Sequence, residues 1–222
     1  MKLLVLGASG GCGRWVVRLA ARRGHGVRAL VRPGSATEDV ETVEVVRGEV
    51  LDRGTISRAV EGVDAVVSCL GIRRVRAWNP WSAIASPSDL TERAMSLLIS
   101  AMADAGVPRV IAISAGGVGD SKDLVHPVNR WLFGHSSIAV SYKDLERMEQ
   151  VLAHSGLDWQ AVRPTTLANG PPTDHVRAVA RYGLLTRVRR ADVAAWMLDA
   201  ADASGSLLDR TPMIASVRVM KR

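Results

Sequence analysis

Lys2-Leu3-Leu4-Val5-Leu6-Gly7-Ala8-Ser9-Gly10-Gly11-Cys12-Gly13-Arg14-Trp15-Val16-Val17 opens the chain with an apolar run, a glycine-rich turn and the start of a helical pattern. Lys2 to Leu6 has the leucine and valine content of a buried strand. From Arg14 to Arg23 the apolar residues Trp15, Val16, Leu19 and Ala20 recur at helical spacing, and the Gly24 to Gly26 segment stops the run. Between strand and helix stand glycines 7, 10 and 13, a GxxGxxG pattern whose strand–turn–helix context gives it meaning. Gly7 permits the tight turn, Gly10 lets the backbone approach a diphosphate, and Gly13 lets the helix lie close to the sheet. The unpaired N–H groups and the positive end of the helix dipole then face an anion. Ser9 adds a hydroxyl donor, and Gly11 and Cys12 lie in the same turn.

Working outward, strand and helix patterns alternate. Val27 to Val31, Val43 to Val46, Asp64 to Leu70 and Arg109 to Ile113 read as strands two to five. Thr55 to Val60 and Asp89 to Ala105 read as helices, the second stopped by Gly106 and Pro108. This predicts an α/β fold, a Rossmann-type doubly wound parallel sheet with helices on both faces. Further on, Ser141 to His154 reads as a helix, Asp158 to Val162 as a sixth strand, Asn169 to Asp174 as a turn cluster, Arg190 to Ala201 as a helix and Met213 to Val219 as a late strand. Residues 72–88 read as a long loop, and 115–140 as a long loop with short helical pieces, both on the substrate side of the sheet.

The chain has 222 residues, 47% apolar and 23% charged, the balance of a globular protein of one domain spanning 1–222. No apolar run approaches the roughly 18 needed to cross a bilayer, and Met1-Lys2 leads straight into a strand pattern. The expectation is a cytoplasmic protein without membrane contact. The formal charge of +7 raises the question of nucleic acid. Arginine nevertheless outnumbers lysine 25 to 4 along the whole chain, the basic residues are scattered, and aromatic residues at 4% are too few for a base-stacking platform. No nucleic-acid partner is expected. The two cysteines, Cys12 and Cys69, make neither a disulfide framework nor a four-thiolate zinc site. They follow strands one and four, which can bring them near each other, and are read as small half-buried residues, with a redox pair as the alternative.

Strand two ends in Ala29-Leu30-Val31-Arg32-Pro33. A site that prefers NAD places a carboxylate here for the ribose hydroxyls, whereas Arg32 can clasp a 2′-phosphate through its planar fork. The expected cofactor is NADP(H).

Taken together, Gly7 to Gly13, Leu30-Val31-Arg32, Arg47-Gly48-Glu49-Val50-Leu51-Asp52, Asp64-Ala65-Val66-Val67-Ser68-Cys69-Leu70-Gly71, Arg109-Val110-Ile111-Ala112-Ile113-Ser114 and Ser155-Gly156-Leu157-Asp158-Trp159 to Arg163-Pro164 resemble, in order and spacing, the atypical short-chain dehydrogenase/reductases. They are most similar to the NAD(P)H-binding group that includes biliverdin reductase B (flavin reductase) and NmrA-like proteins. The resemblance spans residues 2–200 and implies cofactor contacts from the glycine loop, from Arg32, from Glu49 and Val50 against the adenine, and from Cys69, Leu70 and Gly71 beside the ribose. Ser114 and Pro164, which follow strands five and six, complete the implied contacts. The family more often has Asp where this chain has Glu49.

Many short-chain reductases carry Tyr-x-x-x-Lys on the helix after the fifth strand, the tyrosine as acid and the lysine lowering its pKa. Here Tyr142 is followed directly by Lys143, and Glu146 stands four residues on. Adjacent helical residues face different directions, and counting back from Glu149 places Ser141 and Leu145 at the usual pair. The dyad is missing. The resemblance to biliverdin reductase B implies instead a serine after the fifth strand, which Ser114 matches as the candidate catalytic residue, and a histidine where this chain has Glu149. His154 reads as a surface residue, and Glu146 with Glu149 as a solvated pair on one helix face. Trp78, Trp81, Trp131 and Phe133 are candidates to wall an aromatic substrate pocket, or to serve loop packing or a dimer contact, and Arg73, Arg74 and Arg76 would favour an acidic substrate. Three functions follow: an NADPH-dependent reductase of a small, aromatic or acidic molecule such as a flavin or quinone, acting as monomer or homodimer; a non-catalytic NADP(H)-binding sensor of the NmrA-like type; and an isomerase or epimerase using bound NAD, which Arg32 disfavours.

Overall fold

The computed structural model describes residues 1–35, 43–173 and 175–216. Its strands are β1 (Lys2–Leu6), β2 (Gly26–Val31), β3 (Val43–Arg47), β4 (Ala65–Ser68), β5 (Arg109–Ile113), β6 (Asp158–Pro164), β7 (Thr166–Ala168), β8 (Val176–Ala178), β9 (Arg187–Arg189) and β10 (Met213–Ser216). The helices are α1 (Gly13–Arg22), α2 (Arg53–Val60), α3 (Leu90–Ala105), α4 (Pro127–Gly134), α5 (Ile138–Ala153) and α6 (Arg190–Asp202), with a 3-10 turn at Gly119–Leu124. Eight strands form one sheet in the order β3-β2-β1-β4-β5-β6-β10-β8, and β7 pairs with β9 alongside it. The strand order reverses between β1 and β4, the topological switch point where open α/β sheets bind ligands.

Alternating side chains on the strands divide the core in two. Leu3, Val5, Val27, Ala29 and Val67 bury against α1 and α6 through Val16, Val17, Ala20, Met197 and Leu198. Leu4, Leu6, Val66 and Val110 face α2, α3 and α5 through Ile56, Leu98, Met102, Met148 and Leu152. The strands are therefore apolar on both faces, as a parallel sheet covered on both sides requires. Asp52 caps α2, accepting from the Thr55 N–H at 2.9 Å and its hydroxyl at 2.6 Å. Among the described residues no helix is long and apolar enough to cross a membrane.

The β and α elements of the first half fall where the pattern predicts them, with one consequence for the site. β4 ends at Ser68 rather than Leu70, so Cys69 and Leu70 sit beyond the strand, at its carboxyl end. Later the differences grow. The sheet is not wholly parallel, because β8 runs antiparallel to β10 at the edge. The three-residue strands β7, β8 and β9 are too short to show a period of two. The short helical pieces expected within residues 115–140 are the 3-10 turn and α4, and α5 begins at Ile138 rather than Ser141, so its first turn also falls in this segment. The segment 72–88 is irregular as expected, apart from a bridge between Arg74 and Ile84. The late strand ends at Ser216; positions 217–219 of its expected range, and position 174 of the expected turn, lie outside the described residues.

Candidate cofactor site

A cleft of about 530 Å³ opens at the carboxyl ends of β1, β2 and β4. Gly7, Ser9 and Gly10 line it from the loop after β1, Leu30, Val31 and Arg32 from β2, Glu49 and Val50 from the turn after β3, and Cys69, Leu70 and Gly71 from the end of β4. Nine of the expected cofactor contacts, all of these but Leu30 and Val31, thus share one cavity, with Arg73 from the following segment.

The glycine loop fits a bound diphosphate by what it lacks. Gly7 has φ +69°, and a Cβ there would stand 2.8 Å from the Cys69 carbonyl oxygen. A Cβ on Gly13 would overlap the Gly7 carbonyl oxygen, so α1 can begin this close to β1 only with glycine. The Gly10 N–H donates to the Gly7 carbonyl at 2.9 Å and closes the turn. No side chain caps α1, and no acidic residue stands in its first turn. The positive end of the helix is left for an anion.

Arg32 is exposed on the cleft wall and, among the described residues, ends on no carboxylate. The Arg47 guanidinium donates to the Ser35 carbonyl at 3.1 Å, bracing the turn that follows it.

Gly11, Cys12, Gly13, Ser114 and Pro164 do not line this cleft. Gly13 serves the helix packing just described. Burial pushes the Cys12 thiol up to about 11, against the pull of Arg190. Burial, and then the neighbouring Cys12, also raise the Cys69 thiol; the two cysteines come together as inert thiols. Pro164 is buried at the end of β6, its carbonyl accepting from the Gly116 N–H at 2.9 Å.

Ser114 belongs to a buried network that the sequence reading did not foresee. Its hydroxyl donates to Glu149 Oε1 at 2.6 Å. Arg163 donates to both oxygens of the same carboxylate, at 3.0 Å from Nε and 2.6 Å from Nη2, and its Nη1 reaches Asp120. Glu149 is 7% exposed and Arg163 4%. The expectation of a solvated Glu146–Glu149 pair is therefore corrected: Glu146 is exposed, but Glu149 points inward because Arg163 on β6 supplies the countercharge. A run of helix sequence carries no trace of a partner on another element.

Tyr142 lies inward and donates its hydroxyl to the Gly116 carbonyl at 2.9 Å, and burial raises its pKa, whereas Lys143 is exposed. His154 is exposed as expected. Of the aromatic residues, Phe133 packs on Tyr142 and Tyr182. Trp131 stacks on His135, and Trp81 donates from Nε1 to the His135 carbonyl at 3.1 Å. Trp78, Trp81 and Trp131 are 80%, 60% and 59% exposed and line no part of the cleft, so they lie on the surface and do not form its wall.

One residue near the loop gave no signal in the sequence. Arg190, the first residue of α6, lies across Gly11 and donates from Nη1 to Asn169 Oδ1 at 2.7 Å.

The model of a family described as NAD(P)H-binding matches residues 7–204, from the glycine loop through α6. The chain belongs to the NAD(P)H-binding family. Its cofactor is accordingly a nicotinamide dinucleotide, which accords with the resemblance to atypical short-chain dehydrogenase/reductases. Among curated relatives, the isoflavone reductase homolog IRL of Zea mays is 33% identical over 84 residues, covering 33% of this chain and 27% of that protein. The chain spans 27–38% of the length of the first curated relatives it matches. Two solved structures share the fold over nearly the full length. ChuY, an anaerobillin reductase from Escherichia coli O157:H7, has a TM-score of 0.76 at 25% identity and covers 100% of both chains. A short-chain dehydrogenase/reductase from Veillonella parvula DSM 2008, in complex with NADP, has a TM-score of 0.74 at 18% identity, covering 96% of this chain and 93% of its own.

Proposed function

We propose that this member of the NAD(P)H-binding family is an NADPH-dependent reductase of a small aromatic or acidic compound, of the flavin or quinone kind. The observation that carries the proposal is Arg32 on the cleft wall, at the end of β2 where an NAD site holds a carboxylate. Its fork matches a 2′-phosphate, and Glu49 and Val50, which line the same cleft, would lie against the adenine. Reductases among the matched relatives support the reaction class.

NADPH, when bound, supplies the hydride. The chain's own part is to bind and orient. Ser114, at the end of β5, would stand beside the nicotinamide. Its single proton is committed to Glu149, so toward a ligand it offers lone pairs and no proton. Tyr142 is likewise committed to Gly116. With neither hydroxyl free as an acid, the favoured substrates are those whose reduced anion is delocalised and takes its proton from water, as flavins and quinones do; a simple ketone needs a donor at its oxygen. Arg73 on the cleft rim favours an acidic molecule. All described strands but β7 and β9 belong to one sheet, which supports reading 1–222 as one domain.

The same committed hydroxyls favour a second reading, an NADP(H)-binding sensor without turnover. Calorimetry with NADPH and NADH, followed by NADPH oxidation in the presence of FMN and of quinones, separates the two. Acceptor-dependent oxidation is expected; tight NADPH binding with no oxidation by any acceptor would leave the sensor. Arg32→Ala should weaken NADPH by about tenfold or more while NADH changes little. Equal losses for both coenzymes would remove the 2′-phosphate assignment.

A further inference from the structure

Besides Arg32 and Arg73 on the cleft wall, a further cation, Arg190, lies against the glycine loop. We infer that Arg190 grips the dinucleotide's diphosphate, so that two arginines divide the phosphates: Arg32 the 2′-phosphate, Arg190 the bridge. The inference rests on the cofactor reading above and adds to it a residue far away in sequence.

Three features converge on it. A Cβ on Gly11 would stand 2.8 Å from Arg190 Nε and 2.9 Å from its Cδ. The arginine arm thus occupies the place a side chain at position 11 would take, one residue along the loop from Gly10, which lines the cleft. Gly11 has no positive φ that would by itself demand glycine; what it provides is room for the guanidinium. Second, the arm is fixed in place. Ala168 of β7 pairs with Arg189 of β9, so the next residues, Asn169 and Arg190, leave the pair side by side and are joined by the 2.7 Å hydrogen bond. Third, the charge is left unspent. Arg28, Arg109 and Arg163 each end on a carboxylate, whereas Arg190 has a neutral partner and, among the described residues, no acidic one. Its remaining N–H groups are donors held over a loop whose own N–H groups carry only partial charge. The pull of this cation on the Cys12 thiol places its field at the start of α1.

The test uses calorimetry on the whole chain with three probes: NADPH, NADH and adenosine 2′-monophosphate, which has no diphosphate. Arg190→Gln removes the charge and leaves a shorter, neutral donor at the same place on α6. This variant should weaken NADPH and NADH by the same factor, about ten- to a hundredfold, and leave adenosine 2′-monophosphate unchanged. Arg32→Ala should give the complementary pattern. Gly11→Ala, which displaces the guanidinium without removing it, should reproduce the Arg190→Gln signature, and the double variant should lose little more than either alone. Coenzyme binding by Arg190→Gln equal to that of the unaltered chain would reduce Arg190 to a clip between α6 and the loop. Equal loss of adenosine 2′-monophosphate would assign the effect to the local fold and also overturn the inference. Failure of the unaltered chain to bind either coenzyme would instead overturn the cofactor reading itself.

Discussion

Glu149 shows what a single residue's neighbours in sequence can conceal. Three residues after Glu146 on an amphipathic helix, it reads as a solvated charge, and the resemblance places a histidine there. In the structure its carboxylate is the acceptor for Ser114 and for two nitrogens of Arg163, all three buried. Removing one member of a buried pair leaves the other charged and dry. Glu149→Ala should therefore cost about 3 kcal/mol of stability, measured by urea denaturation, with part of Arg163's charge still met by Asp120. Glu149→Gln keeps an acceptor for the Ser114 hydroxyl and should cost less. If Glu149→Ala unfolds at the same urea concentration as the unaltered chain, the network contributes no net stability.

At the scale of elements, the helices are tied down by side chains from elsewhere in the chain. Asp89, the residue before α3, makes no side-chain cap. Asp144 of α5 supplies the cap instead, accepting from the Thr91 N–H at 2.9 Å, the Thr91 hydroxyl at 2.6 Å and the Glu92 N–H at 3.1 Å. It caps α3 and locks it to α5 at once, and it is fully buried. Asp144→Ala should lower stability by about 2 kcal/mol or more, the upper range of a lost cap, because buried donors are orphaned together. Thermal melting followed by circular dichroism would show it; an unchanged Tm would mean water replaces the carboxylate. At the far end of α6, Arg109 of β5 donates to the carbonyls of Ala201, Ala203 and Gly205, supplying the cation that the helix's own last turn lacks. Such caps leave no trace in the local pattern, because start and stop residues within a helix say nothing of a side chain supplied by another element.

For the molecule as a whole, Asp158 joins the later strands into one body. At the start of β6, it accepts from Arg109 of β5 at 2.9 Å, and from the Leu207 N–H at 3.0 Å and Arg210 at 2.9 Å in the segment leading to β10. Burial alone would raise its pKa, but these donors outweigh it and hold the carboxyl below the usual range. A depressed folded pKa gives stability that is present above the unfolded value of about 3.9 and is lost as pH falls through the folded one. Asp158→Asn should therefore be less stable than the unaltered chain at pH 7, by about 1–3 kcal/mol. The gap between the two should narrow below about pH 4. A gap that stays constant from neutral to acid pH would mean that the charge on Asp158 is not what the donors stabilise. The same scale explains the edge of the sheet: β8 turns antiparallel against β10, which three residues of sequence, Val176 to Ala178, do not announce.

The sequence by itself determined the doubly wound sheet, the glycine turn and the arginine at the end of β2, because each depends on periodicity, a missing side chain or position within one βα unit. These signals are local, and local spacing records them. Only the tertiary structure decided that Glu149 is buried, that Asp144 caps a neighbouring helix, and that Arg190 lies on Gly11. Each of these depends on which distant segment supplies the opposite charge, the donor or the empty space, and the chain must close on itself before that neighbour exists.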